Sequence, residues 1–363
     1  MLAGGLGLIV LVVIVAVFAS GSPTKAPRQG STTIPASTAG GIPAVEAGLL
    51  PWTLAAALSR EVVLPASGTS LTVIGGLDAA QRSVAGVYSL DTSTGAITAA
   101  GSLAAAVHDA AGARLEGQDF LFGGGSPTTI ADVESFAVPQ GAGATRATVV
   151  GRLPQPRSDA SAVTIGRTAY VVGGYDGANA DSQVLSTTDG QHFAVSASLQ
   201  VPVRYAAVAA FEGRIYLFGG QAVGGLDNGA LVDAVQMVDP SAGTAQVIAR
   251  MPQAGAGAMA VAVGGQLYVA GGVTEVTAAE ATATGAIYAF DVAHAKLLGA
   301  GTLPAPVAYG ATAVVGNRAW IVGGERGGAP VSSVEMFTPN RAFGTAGAAG
   351  AGSLQGGRSS TNG

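Results

Sequence analysis

The chain has 363 residues, of which 48% are hydrophobic and 11% charged, and its net charge is −5. That composition supports a sizeable core and excludes disorder of the highly charged type, and the missing basic excess argues against a nucleic-acid partner. There is no cysteine, which excludes disulfides, thiolate metal sites and a cysteine nucleophile.

The first element in chain order is an uncharged, mostly aliphatic run from Leu2 to Ala19, densest between Leu8 and Phe18. It is just long enough to span a bilayer and predicts a single N-terminal transmembrane helix over residues 1–20. A cleaved signal peptide is the alternative, with Val17-Phe18-Ala19 offering small residues where a signal peptidase cuts. Lys25 and Arg28 follow the run, where a signal peptide would carry its basic residues ahead of it. Taken alone, they would draw that flank inward. Either leading option places the remaining chain outside the cytoplasm, tethered to the cell membrane or secreted. Residues 21–48, rich in Gly, Ser, Thr, Pro and Ala, read as a flexible linker.

Six glycine pairs then recur about every 50 residues: Gly75-Gly76, Gly123-Gly124, Gly173-Gly174, Gly219-Gly220, Gly271-Gly272 and Gly323-Gly324. A short apolar strand precedes each pair, as in Ile215-Tyr216-Leu217-Phe218. A polar loop and another β-rich run follow, as in Ala234 to Val238, closed by Asp239-Pro240. No helical periodicity interrupts this grammar, so residues 49–343 predict an all-β repeat domain of four-stranded units. The tail 344–363 is mostly Gly, Ala and Ser and reads as disordered.

An apolar-aromatic strand, a Gly-Gly pair, a polar loop and an Asp-Pro-type turn, repeated in this way, resemble kelch repeats. The resemblance implies a six-bladed β-propeller with one blade per repeat. Kelch blades usually carry a tryptophan in the fourth strand, and these six units lack it. Pro51-Trp52-Thr53-Leu54, upstream of the first pair, resembles such a strand. Residues 51–58 are therefore expected to complete the sixth blade and close the ring. The alternative assigns that strand to residues 341–349.

In a kelch-like blade the 2–3 loop and the 4–1 connection open on one face. Arg60, His108, Arg157 and Arg204 stand 15 or 16 residues ahead of their glycine pairs, which predicts a basic arc on that face. Arginine forks suit carboxylates, sulfates or sugar hydroxyls. They also commonly hold loops in place. The 2–3 loops add Asp78, Arg82, Asp132, Asp176, Asp181, Asp227, Asp233, Glu275, Glu280, Glu325 and Arg326, and Tyr175, Tyr205 and Tyr309 add aromatic surface. The candidate ligand-binding residues are Arg60, His108, Arg157, Arg204, Tyr205, Tyr309 and Glu325. Asp109 and Asp159 place carboxylates beside this basic register. No catalytic residue, metal site or cofactor is assigned. His192 and His294 fall near the opposite face from His108, and Gly123-Gly124-Gly125 is followed by no helix or Lys-Ser/Thr pair. Some kelch-like propellers are copper oxidases with a tyrosine–cysteine crosslink, which a cysteine-free chain cannot form.

The expected function is a binding module for a protein, peptide or glycan, tethered or secreted outside the cytoplasm. A sugar mutarotase or epimerase using a pore-mouth arginine and carboxylate is the enzymatic alternative. A purely structural envelope protein is the third.

Overall fold

A computed structural model describes residues 44–137, 145–224, 227–277 and 281–340. The hydrophobic segment 1–20, the linker up to residue 43, Glu280 and the tail from residue 341 lie outside them. Among the described residues no helix is long and apolar enough to cross a membrane.

The strands form six antiparallel blades around an axis. The first comprises Val62–Pro65, Ser70–Ile74, Val84–Asp91 and Ile97–Val107; the second Ala111–Leu115, Gln118–Phe122, Asp132–Ala137 and Thr148–Arg152. The third comprises Ser161–Ile165, Thr168–Val172, Gln183–Thr187 and Ala194–Ser198; the fourth Ala207–Phe211, Arg214–Phe218, Ala234–Asp239 and Thr244–Arg250. The fifth comprises Met259–Val263, Gln266–Ala270, Ala286–Asp291 and Lys296–Thr302. The sixth takes Ala311–Val315, Arg318–Val322 and Ala329–Pro339 from the end of the chain and Val45–Leu58 from its beginning. The shared blade covers an edge that would otherwise be open to pairing. This strand starts at Val45, so residues 45–48, read from the sequence as linker, belong to the propeller. Trp52 on the strand stacks on Trp320 with ring centroids 6.2 Å apart.

The glycine pairs have one job, repeated six times. The second glycine N–H donates to the carbonyl of a residue at the end of the same blade's fourth strand or in its connector: Val107, Arg157, Val203, Gly255, Val307 and Leu58 in turn, at 2.7–2.9 Å. The same carbonyl occupies the space a Cβ on the first glycine would need; at Gly323 it is 2.6 Å from that position. Both glycines have positive φ, +59° and +98° in the sixth blade. Close approach and left-handed backbone together demand glycine.

Between neighbouring blades lie apolar clusters, one at each of the six joints. Three joints also carry a buried polar staple. Glu134 Oε2 accepts from Ala104 N at 2.8 Å, and Glu335 Oε2 accepts from Ala305 N at 3.3 Å. Gln236 Oε1 accepts from Val201 N at 2.9 Å while its Nε2 donates to Val201 O at 2.8 Å. These residues share one register in the second, fourth and sixth blades; the odd-numbered blades have Tyr88, Leu185 and Tyr288 there.

Candidate functional site

Each fourth strand returns to the next first strand through a connector at the mouth of the central channel. There one residue per blade adopts left-handed backbone: Arg60, Asp109, Asp159, Tyr205, Gly257 and Tyr309, with φ between 52° and 62°. Each donates its N–H to the carbonyl of the residue before it in the series, and Arg60 donates to Tyr309, at 2.7–3.0 Å. Six backbone hydrogen bonds therefore form a closed ring around the channel. Gly257 shows that the ring needs no side chain. The other five positions hold side chains at a backbone cost of about 1 kcal/mol or more each, and all five are charged or aromatic groups.

Arg60 spans the mouth. Its Nε donates to Glu325 Oε1 at 2.7 Å, and its Nη1 donates to Asp109 Oδ2 at 3.1 Å and to the Tyr205 hydroxyl at 2.7 Å. Its guanidinium carbon lies 4.6 Å from the Tyr309 ring centroid and 5.2 Å from that of Tyr205, within cation–π range. Tyr205 and Tyr309 meet edge to face at 5.1 Å. A Cβ at Gly257 would stand 2.6 Å from the Tyr309 ring, so the missing side chain gives Tyr309 its place. Burial opposes the Arg60 charge, but Asp109, Tyr205 and Glu325 outweigh it and raise the pKa.

Arg204 sits one residue before Tyr205. Its Nε and Nη2 donate to Gln221 Oε1 at 2.9 and 2.8 Å, and Nη1 lies 3.4 Å from Asp159 Oδ2. It faces the rings of Tyr175 and Tyr205 at 5.5 and 5.1 Å. His108, at the matching position of the second blade, shares a 2.8 Å hydrogen bond between Nδ1 and Ser83 Oγ. Burial and the Arg60 charge lower its pKa against the pull of Asp159, disfavouring the charged imidazolium.

Arg157 is elsewhere. It is 1% exposed, pairs with the buried Asp181, and donates from Nη1 to the carbonyls of Gln183 at 2.8 Å and Gly173 at 3.2 Å. It holds a 2–3 loop from inside the third blade. The basic arc expected at one register therefore resolves into three positions. Arg60 is on the ring, His108 and Arg204 are one residue before it, and Arg157 is two residues before Asp159. The 1–2 turn of the first blade is longer than the others, running from Pro65 to Leu71 against Leu115 to Gln118 in the second. Equal counts from the glycine pairs thus mark unequal positions. Arg60, His108, Arg204, Tyr205, Tyr309 and Glu325 come together at the mouth.

The carboxylates carry more of the site than sequence reasoning assigned. Asp109 is pushed up by burial, and Asp159 is pushed up to about 6 by burial and the neighbouring Asp109 charge. Glu61 went unnoticed. It follows the ring residue, where the other blades have Ala110, Ala160, Ala206, Ala258 and Gly310. The lone acid in a column of small residues is the signal that could have found it. It is 7% exposed, its carboxylate oxygens meet no side-chain donor and only weak contacts from the backbone N–H groups of Glu61 and Ala311, and burial pushes its pKa up to about 8.

Behind the ring is a cavity of about 440 Å³, walled by the first strands of all six blades, mostly through Ala and Val, and headed by Arg60, Glu61, Asp109, Asp159, Tyr205 and Tyr309. An apolar cavity with a few convergent polar groups is the usual form of a ligand site. Among the described residues no group of three or more His, Cys, Asp or Glu is arranged to hold a metal ion.

A family model described as the KLHDC2/KLHL20/DRC7 Kelch-repeats domain matches residues 161–342. Beta-scruin of Limulus polyphemus is 26% identical over 206 residues, 53% of this chain and 22% of its own length. Alpha-scruin of the same organism is 25% identical over 182 residues, 48% of this chain and 19% of its own. The chain thus spans about a fifth of the length of these curated relatives. The solved structure of YjhT is similar with a TM-score of 0.66 at 18% identity, over 78% of this chain and 95% of that one, a likeness of fold.

Proposed function

The chain belongs to the kelch-repeat family, and from that premise we propose that it is a binding module whose 2–3 and 4–1 loop face receives a protein, peptide or glycan. A kelch propeller by its fold suggests a protein-binding module. The observation that carries the choice of face is the ring of five non-glycine residues in left-handed backbone. Strain held at one place points to a function there. Tyr175, Tyr205 and Tyr309 supply flat faces for stacking beside charged hydrogen-bonding groups. A mutarotase would need an arginine and a carboxylate free to grip one sugar. Arg60 already spends Nε and Nη1 on Glu325, Asp109 and Tyr205, which favours binding over that chemistry. A purely structural role would leave the strained ring without a purpose. The apolar run from Leu2 to Ala19 supports placement of the propeller outside the cytoplasm, as a tethered or secreted protein.

Peptide and glycan arrays probed with the full chain test this reading. A captured ligand is expected to be lost when Arg204→Ala is combined with Tyr309→Ala, in a protein that stays folded by circular dichroism. Capture that survives that pair but vanishes with His192→Ala and His294→Ala, on the opposite turns, would put the site on the other face.

A further inference from the structure

The charges at the pore mouth do not balance. Asp109, Asp159, Glu325 and Glu61 gather there against the guanidiniums of Arg60 and Arg204. Even with Glu61 protonated, three carboxylates face two cations. His108, whose Nε2 lies 3.8 Å from Asp109 Oδ2, adds little to the positive side, since burial and the Arg60 charge disfavour its protonated form. Arg60 already holds Glu325 and Asp109, and Arg204 holds the Gln221 amide with Asp159 beside it, so an arriving anion would meet a carboxylate next to either guanidinium.

The unused capacity lies on the acceptors. The Asp159 side chain is 6% exposed; its ion pair to Arg204 Nη1 is long at 3.4 Å, and its other support is the Tyr205 hydroxyl and the more distant Arg60 charge. The Glu61 oxygens have no side-chain donor and only weak contacts from the backbone N–H groups of Glu61 and Ala311, and that carboxylate feels the charges of Glu325 and Asp109. Buried carboxylates without full partners are costly and favour a cation that can reach them. The tyrosine faces suit the same ligand, and the mouth already holds a cation by these means: Arg60 rests on two carboxylates and two tyrosine rings. With no metal-ligating group of three among the described residues, the chemistry fits an organic cation better than an inorganic one.

We propose that the pore mouth takes an alkylammonium group against Asp159 and Asp109, with the apolar wall of the channel receiving its carbon chain. The source is a small amine or the lysine side chain of a peptide, which share this chemistry. The proposal rests on the reading of this face as the binding face and names the charge of what binds there.

The test uses the full chain and n-butylammonium chloride, followed by calorimetry and thermal melting. Sodium chloride at equal ionic strength, 1-butanol and sodium butyrate are the controls. Saturable binding and a raised melting temperature are expected with butylammonium alone. Asp159→Asn, which keeps the side-chain shape, is expected to weaken binding about tenfold or more. Asp109→Asn is the second variant should Asp159→Asn fail to fold. A parallel titration uses an acetylated, amidated Gly-Gly-Lys-Gly-Gly peptide, whose one charge is the lysine. Tighter binding of the peptide identifies a peptide source, and binding of the free amine alone identifies a small amine. The proposal is overturned if sodium chloride reproduces the shift, if butyrate binds in place of the amine, or if the folded asparagine variants bind like the parent. A neutral or acidic array ligand lost in the Arg204/Tyr309 variant would refute the cation while leaving the binding face standing. Failure of both arrays and amines would remove both readings.

Discussion

Glu61 is an acid in a position that five other blades fill with alanine or glycine. Its pKa of about 8 in the fold exceeds the ordinary value near 4.3 in an unfolded chain. Below both values the carboxyl is protonated in either state and contributes no pH dependence. Between them the unfolded chain gives up its proton and the folded one keeps it, so stability falls as pH rises, then levels off above about 8. The loss is on the order of a few kcal/mol. Glu61→Gln should therefore raise the urea midpoint strongly at pH 8.5 and little at pH 4.5. An unchanged pH slope in the variant would show that Glu61 is not the buried acid responsible. Arg157 makes the opposite case, a buried charge with its partner. Arg157→Ala should cost about 3–5 kcal/mol by stranding Asp181, read as a lowered urea midpoint, whereas Arg204→Ala at the half-exposed mouth should cost much less. Equal losses at the two positions would contradict their different burial.

The N-terminal strand Val45–Leu58 is the element on which the ring depends. It pairs with Ala329–Pro339 over most of its length, places Leu54 and Leu58 in the core at the last joint, and gives its Leu58 carbonyl to Gly324. Deleting residues 45–58 leaves a bare strand edge and an open apolar joint. The expected product is aggregated or oligomeric by size-exclusion chromatography; a monomer melting like the parent would refute this role. Elements were legible in the sequence where their signal is local. The strand before each glycine pair and the pair itself recur in a fixed order because every blade solves the same backbone problem. The staples Glu134, Gln236 and Glu335 were not legible. Their partners are main-chain groups of the preceding blade, about 30 residues away, and nothing nearby in the sequence marks the contact.

Across the whole molecule the pattern is a sixfold backbone with unequal side chains. The ring of hydrogen bonds, the glycine clasps and the apolar joints repeat in every blade. That regularity made the propeller readable from a period. The mouth repeats only its backbone, so its chemistry had to be read residue by residue. There, one extra residue in the first blade's turn moved Arg60 onto the ring and made an even count misleading. Glu325 and Arg60 are far apart in sequence yet 2.7 Å apart in space, because the first connector follows the last blade around the circle. No spacing rule along the chain announces a contact made by closure.

The chain has two tryptophans, and they stack on each other across that closing blade, one from each end of the propeller. Their emission, and any exciton coupling in the ultraviolet circular dichroism, therefore report a single event: the meeting of the two ends. The protein carries its own optical gauge of circularity. A signal that disappears before the bulk β-sheet signal would reveal an opened ring with its blades still formed, without any added label.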